Sequence, residues 1–235
     1  MNSFTIQRAG AWSAIAAIFL FFLGFVLAGF IPPPPPSWTA DQVANHYKTY
    51  ATGIRIGMLG MMVSGMFVSP LVAVISAQLN RIPGLAPGVS YAQLSAGTIG
   101  IAFFMVPAVF FLITAYRPDR PAEVTYYLND ASWIMSVLPW PPAFIQNMII
   151  AIAVFSDRSA QPIFPRWYAY VNIWVALGFL PASVLVFVTS GPFAWNGIFS
   201  FWEPGSVFIV WFVVTTYVLL KAIGAEEHAS LSHLH

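Results

Sequence analysis

The residues that could do chemistry in this chain are few, and the most telling group surrounds a break. Pro139-Trp140-Pro141-Pro142 interrupts an uncharged apolar run, and Gln146 and Asn147 follow within it. Proline removes a backbone donor and clashes with the preceding turn. The cluster should therefore split a helix into Ala131–Leu138 and Ala143–Ser156. Broken helices beside polar residues resemble the binding sites of transporters. Asn172 is an amide inside a later apolar run, while Arg55 and Glu203 sit at the ends of such runs. Arg55, Trp140, Gln146, Asn147, Asn172 and Glu203 are thus the candidate ligand contacts. The aromatic ring would cover an apolar body, and the amides and charges would orient a polar end. Charged groups near a membrane need partners, so Arg55 is expected to pair with Glu203 or Asp130 at a cavity mouth.

Other chemistry is absent from the sequence. No cysteine occurs, which excludes disulfides, iron–sulfur clusters and thiolate metal sites. The four histidines are His46, His228, His233 and His235, and none lies in a long apolar run. Haem held by intramembrane histidines is therefore not expected. His228, His233 and His235, with Glu226 and Glu227, read as a polar tail (residues 226–235) rather than a metal site. No phosphate loop, nucleotide fingerprint, nucleophile elbow or zinc motif occurs. No span centre carries an acid or a lysine, which argues against proton pumping and Schiff-base chemistry. Asp130 and Glu203 are too far apart in sequence to form an acid/base motif. No cofactor, metal or nucleic acid is expected, and no residue is assigned a catalytic role.

The elements that must position these residues follow from composition. The chain has 235 residues, 59% hydrophobic and only 7% charged, with a mean hydropathy of +0.76. Soluble domains carry about 25% charge, so this surface must meet lipid rather than water. A spanning helix needs about 20 apolar residues. The uncharged or nearly uncharged runs place six spans at about 9–31, 56–79, 91–116, 131–156, 167–190 and 205–223. The first run is longer than a signal-peptide core and is expected to be a retained helix. The expected fold is all-α: a polytopic six-helix bundle with its termini on one side.

The terminal side carries Arg8, Arg81, Arg158, Arg166 and Lys221, against Lys48, Arg55, Arg117 and Arg120 opposite. The small excess favours cytoplasmic termini in a plasma (inner) membrane. Pro32 to Pro36 should form a stiff exit from the first span. Thr39 with Gln42 reads as a capping box opening a short interfacial helix, with Val43, Tyr47 and Tyr50 on one face. Gly53, Gly57, Gly65, Ser69, Ala73 and Ala77 form a small-residue stripe that makes the second span a packing helix, within the bundle or toward a second copy or another subunit. Kinks are expected at Pro70, Pro107 and Pro181. The aromatic connection Gly191–Gly205 should lie at the interface or fold back as a lid.

Arg8-Ala9-Gly10, Arg55-Ile56-Gly57 and Pro165-Arg166-Trp167, together with six spans, resemble a widespread bacterial family of six-helix integral membrane proteins of unknown function. The resemblance implies that fold and supplies no chemistry. The residues favour binding or movement of an apolar small molecule or lipid in a cavity framed by the third to fifth spans. A non-catalytic subunit of a larger membrane complex is the second reading. A lipid- or isoprenoid-modifying or isomerising enzyme using a carboxylate acid, Glu203 or Asp130, is the third.

Overall fold

A computed structural model of the protein describes residues 3–232. The helices are α1 (Ser3–Leu27), α2 (Ala40–Thr49), α3 (Ala51–Leu79), α4 (Pro87–Gly100), α5 (Ala102–Tyr116), α6 (Ala122–Val137), α7 (Pro141–Ser156), α8 (Arg166–Gly178) and α9 (Glu203–Ser232). A 3₁₀ segment, Leu180–Phe187, continues α8, and a π-helical turn, Ile198–Trp202, leads into α9. Six helical segments are long and apolar enough to cross a membrane: Ser3–Leu27, Ala51–Leu79, Pro87–Tyr116, Ala122–Ser156, Arg166–Phe187 and Ile198–Ser232. Helices dominate because a backbone in lipid must satisfy its hydrogen bonds internally. The third span is α4 with α5, and the fourth is α6 with α7.

α1 stops before the prolines rather than against them. Gly29 has φ +68°; its amide donates to the Val26 carbonyl, and the Phe30 amide donates to that of Phe25. This is a Schellman termination, with Phe30 packed on Phe25 at 6.3 Å. The expected exit at Ile31 is thus corrected to Leu27, because a left-handed glycine ends the helix first. The proline run is not a bare stub. Pro33, Pro34 and Pro36 are buried, and Trp195 Nε1 donates to the Pro34 carbonyl at 2.8 Å. Trp195 also stacks over Trp133 at 6.4 Å and 9°. The aromatic connection therefore folds back over the bundle, although Ile198, Phe199 and Trp202 stay exposed.

α3 is the central helix, touching α1, α2, α4, α5, α7 and α9. Its small-residue stripe does two jobs. A Cβ on Gly57 would lie 2.3 Å from the Gly24 carbonyl oxygen, and one on Gly53 would lie 2.1 Å from that of Leu27. α1 and α3 thus cross backbone to backbone, as only glycine permits. Gly65 instead faces Phe104 of α5, while Ser69, Ala73 and Ala77 point outward and are exposed. α3 runs unbroken through Pro70.

The break in the third span lies at Gly100–Ile101, six residues before the expected site, Pro107. There Ile101 and Phe104 donate to Thr98 and Ile101, a tightened i→i−3 turn beside a glycine. The fourth span breaks at Leu138–Trp140, as the proline cluster requires. In the fifth span Pro181 cannot donate, and the chain tightens into the 3₁₀ segment.

The capping box of α2 is formed: Gln42 N donates to Thr39 Oγ1 at 3.3 Å, and Thr39 N to Gln42 Oε1 at 2.8 Å. Val43 and Tyr47 are buried against the bundle, but Tyr50 is exposed. Tyr47 donates to Asn129 Oδ1 on α6. On the terminal side, α9 continues as helix to Ser232 where a loose tail was expected from residue 226. Glu226 and Glu227 are held there: Arg8 pairs with Glu227 at 2.6 Å and Arg81 with Glu226 at 3.3 Å. The buried Gln78 amide donates to Gln7 and Glu226 between them. His233 and His235 lie outside the described residues.

Candidate functional site

The interruptions of the third and fourth spans border one space, since Gly100, Pro139 and Trp140 all line it. The space is a cavity of about 110 Å³ between α1, the broken third and fourth spans, α8 and the start of α9. It occupies the half of the bundle nearer the lid. Its walls are mostly aromatic: Phe21 and Phe25 from α1, Phe103 and Phe104 from α5, Phe208 and Phe212 from α9. Phe21 meets Phe104 at 5.2 Å and Phe208 at 5.6 Å, edge to face. The volume is somewhat smaller than a cavity known to take benzene (about 150 Å³). It can hold the end of a slender apolar molecule, not the whole of a lipid.

Four polar side chains join the lining: Ser136, Gln146, Asn147 and Ser200. Ser136 donates to the Ser132 carbonyl and Ser200 to that of Phe193, each at 2.7 Å. Asn147 Nδ2 donates to the Ala143 carbonyl at 2.8 Å. Its Oδ1 is buried without a partner, as is Gln146 Nε2. Gln146 is 6% exposed and Asn147 3%. Buried amides normally find partners, so a free donor and a free acceptor on two consecutive residues that line an apolar space stand out. The proline break causes this. It starts α7 at Pro141, which puts Gln146 and Asn147 in its second turn, on the cavity side.

Trp140 lines the cavity from the break itself. Asn172 does not line it but braces it. Asn172 Oδ1 accepts from Nε1 of the wall residue Trp211 at 3.0 Å, and Asn172 Nδ2 donates to the Tyr168 carbonyl. Glu203 lies one residue before the lining Pro204 and Gly205, with Oε2 buried and unpartnered. Arg55 is elsewhere. It is exposed, and its Nη2 donates to the Ala115 and Tyr116 carbonyls at 2.9 and 3.3 Å. The expected pairing of Arg55 with Glu203 or Asp130 is therefore corrected: the guanidinium caps the C-terminus of α5, where bare carbonyls attract a cation. Both ion pairs among the described residues lie on the terminal side.

A second hollow of about 110 Å³ opens on the outer face between the third and fourth spans. Ile99, Ala102, Val106, Pro107, Met135 and Pro142 line it, and it shares Gly100, Phe103 and Pro139 with the main cavity. Of the candidate contacts, Trp140, Gln146 and Asn147 line the cavity. Ser136, Ser200, Trp211 and the phenylalanines line it too, and were not among those candidates. Their signal was present as the i, i+4 pairs Phe21/Phe25 and Phe208/Phe212, but such pairs are equally common in plain packing.

No described group of three or more His, Cys, Asp or Glu could hold a metal. The fold and site define a class, a membrane-embedded all-α bundle of six spans with an apolar cavity between them. No family model, curated protein or solved structure matches the chain.

Proposed function

We propose that the protein binds an apolar, lipid-like molecule that enters its cavity sideways from the bilayer. One observation carries this reading: the breaks in the third and fourth spans face each other, and between them an outer hollow shares Gly100, Phe103 and Pro139 with the aromatic cavity. A chain end could lie in the cavity while the remainder stays among lipid tails, which matches the small volume. Irregular backbone at membrane depth is tolerated where it lines a cavity.

Gly100 provides the test. A Cβ there would meet nothing within 4 Å, and the residue lines both spaces. Gly100→Leu should therefore fill the passage without disturbing the fold. Native mass spectrometry of the detergent-purified protein should show long-chain lipid retained by the wild type and lost from the variant, at an unchanged melting temperature. Equal retention by both would sink the reading.

A further inference from the structure

The main cavity asks for more than apolar bulk. No charged side chain lines it, so a headgroup bearing phosphate or ammonium would be stripped of water without compensation. Two of its polar lining side chains each keep one atom without a partner: Gln146 Nε2, which can only donate, and Asn147 Oδ1, which can only accept. Asn147 is held in this orientation by the bond from its Nδ2 to the Ala143 carbonyl. The two serines already donate to backbone carbonyls. A ligand that satisfies the pair must itself accept one hydrogen bond and donate one.

We infer that the cavity selects lipids with a neutral headgroup that both donates and accepts, of which a hydroxyl is the smallest and a primary amide the next. The oxygen accepts from Gln146 Nε2, and the headgroup hydrogen is donated to Asn147 Oδ1. The first carbons lie among Phe21, Phe104 and Phe208. The chain then leaves past Gly100 and Pro139. This assignment rests on the proposed lateral entry, and it adds the substrate class: long-chain alcohols and amides, not ethers, acids or phosphates.

The test compares matched probes on the detergent-purified full chain by native mass spectrometry: hexadecanol, hexadecanamide, hexadecyl methyl ether and hexadecyl phosphate. The ether keeps the acceptor and loses the donor. Leaving a buried Asn147 Oδ1 unpaired should cost the ether about tenfold in retention. The double variant Gln146→Leu/Asn147→Leu should bind alcohol and ether alike, at the ether's wild-type level. Its melting temperature should equal or exceed that of the wild type, because two unpartnered groups are gone. Were the variant to misfold, the wild-type comparison of alcohol with ether would still decide. Equal wild-type retention of alcohol and ether, or preference for the phosphate, overturns the headgroup assignment. If Gly100→Leu still lowers retention of both probes in that case, the cavity reading survives; if it does not, that reading falls as well.

Discussion

His46 shows how much a single residue's surroundings escape a linear reading. It lies on α2, outside the spans, yet it is buried between Phe30 at 5.3 Å, Tyr50 at 4.7 Å and Trp38 at 5.6 Å. Burial lowers its pKa below the ordinary histidine value, and a hydrogen bond with the Ala28 backbone opposes this only in part. Above about pH 6.5 the ring is neutral in both folded and unfolded chains, and stability is full. As pH falls below that value, the unfolded chain takes up the proton first, so stability declines until the folded value is passed. Melting temperatures recorded from about pH 7.5 down to pH 5 should therefore fall. His46→Phe keeps a flat ring in the box and should flatten that slope. An unchanged slope would place the titration elsewhere. Gln146 and Asn147 were legible because prolines announce a break. Arg55 was not, since its partners are backbone carbonyls of α5, and backbone groups carry no mark in the sequence.

Elements were more legible where their cause is local. The capping box of α2 and the interruption of the fourth span each follow from a few neighbouring residues, and each is present. The third span shows the opposite case. Pro107 lies within α5, and the helix is interrupted instead at Gly100–Ile101. The stripe on α3 was visible, but its division was not, because the crossing angle of α1 is a property of the pair. That division can be measured. Gly57→Ala forces a methyl to within 2.3 Å of a backbone oxygen that cannot swing away, an overpacking cost of about 1–3 kcal/mol. Gly60, on the same helix, would meet nothing within 4 Å. Gly60→Ala should leave the melting temperature unchanged or raise it by its better helix propensity. If the two variants melted alike, the close α1–α3 crossing would be wrong.

At the scale of the whole molecule, the two ends are built from different physics. The terminal end is polar: α1, α3 and α9 are joined by Arg8–Glu227, Arg81–Glu226 and the buried Gln78. The opposite end also carries charges, Lys48, Arg55, Arg117 and Arg120 among them, but its closure is aromatic: Trp195 over Trp133 and the proline run. The cavity belongs to the aromatic end, with Phe25, Phe201 and Pro204 among its walls. Seven per cent charge showed that the chain must meet lipid, but composition could not say that the acids of the last helix would be spent on a clasp. If the ends are separable, Glu226→Gln with Glu227→Gln should weaken only the clasp. Both pairs are partly exposed, with side-chain accessibilities of 42% and 28% in one and 28% and 27% in the other. Each is then worth less than about 1 kcal/mol. The double variant should melt lower by about 2–4 °C for each kcal/mol lost, and less so in high salt, which already screens the pairs. Its retention of hexadecanol should match the wild type. A parallel loss of retention would mean that the clasp sets the spacing of α1 and α9 around the cavity, and that the terminal end governs the site across the membrane.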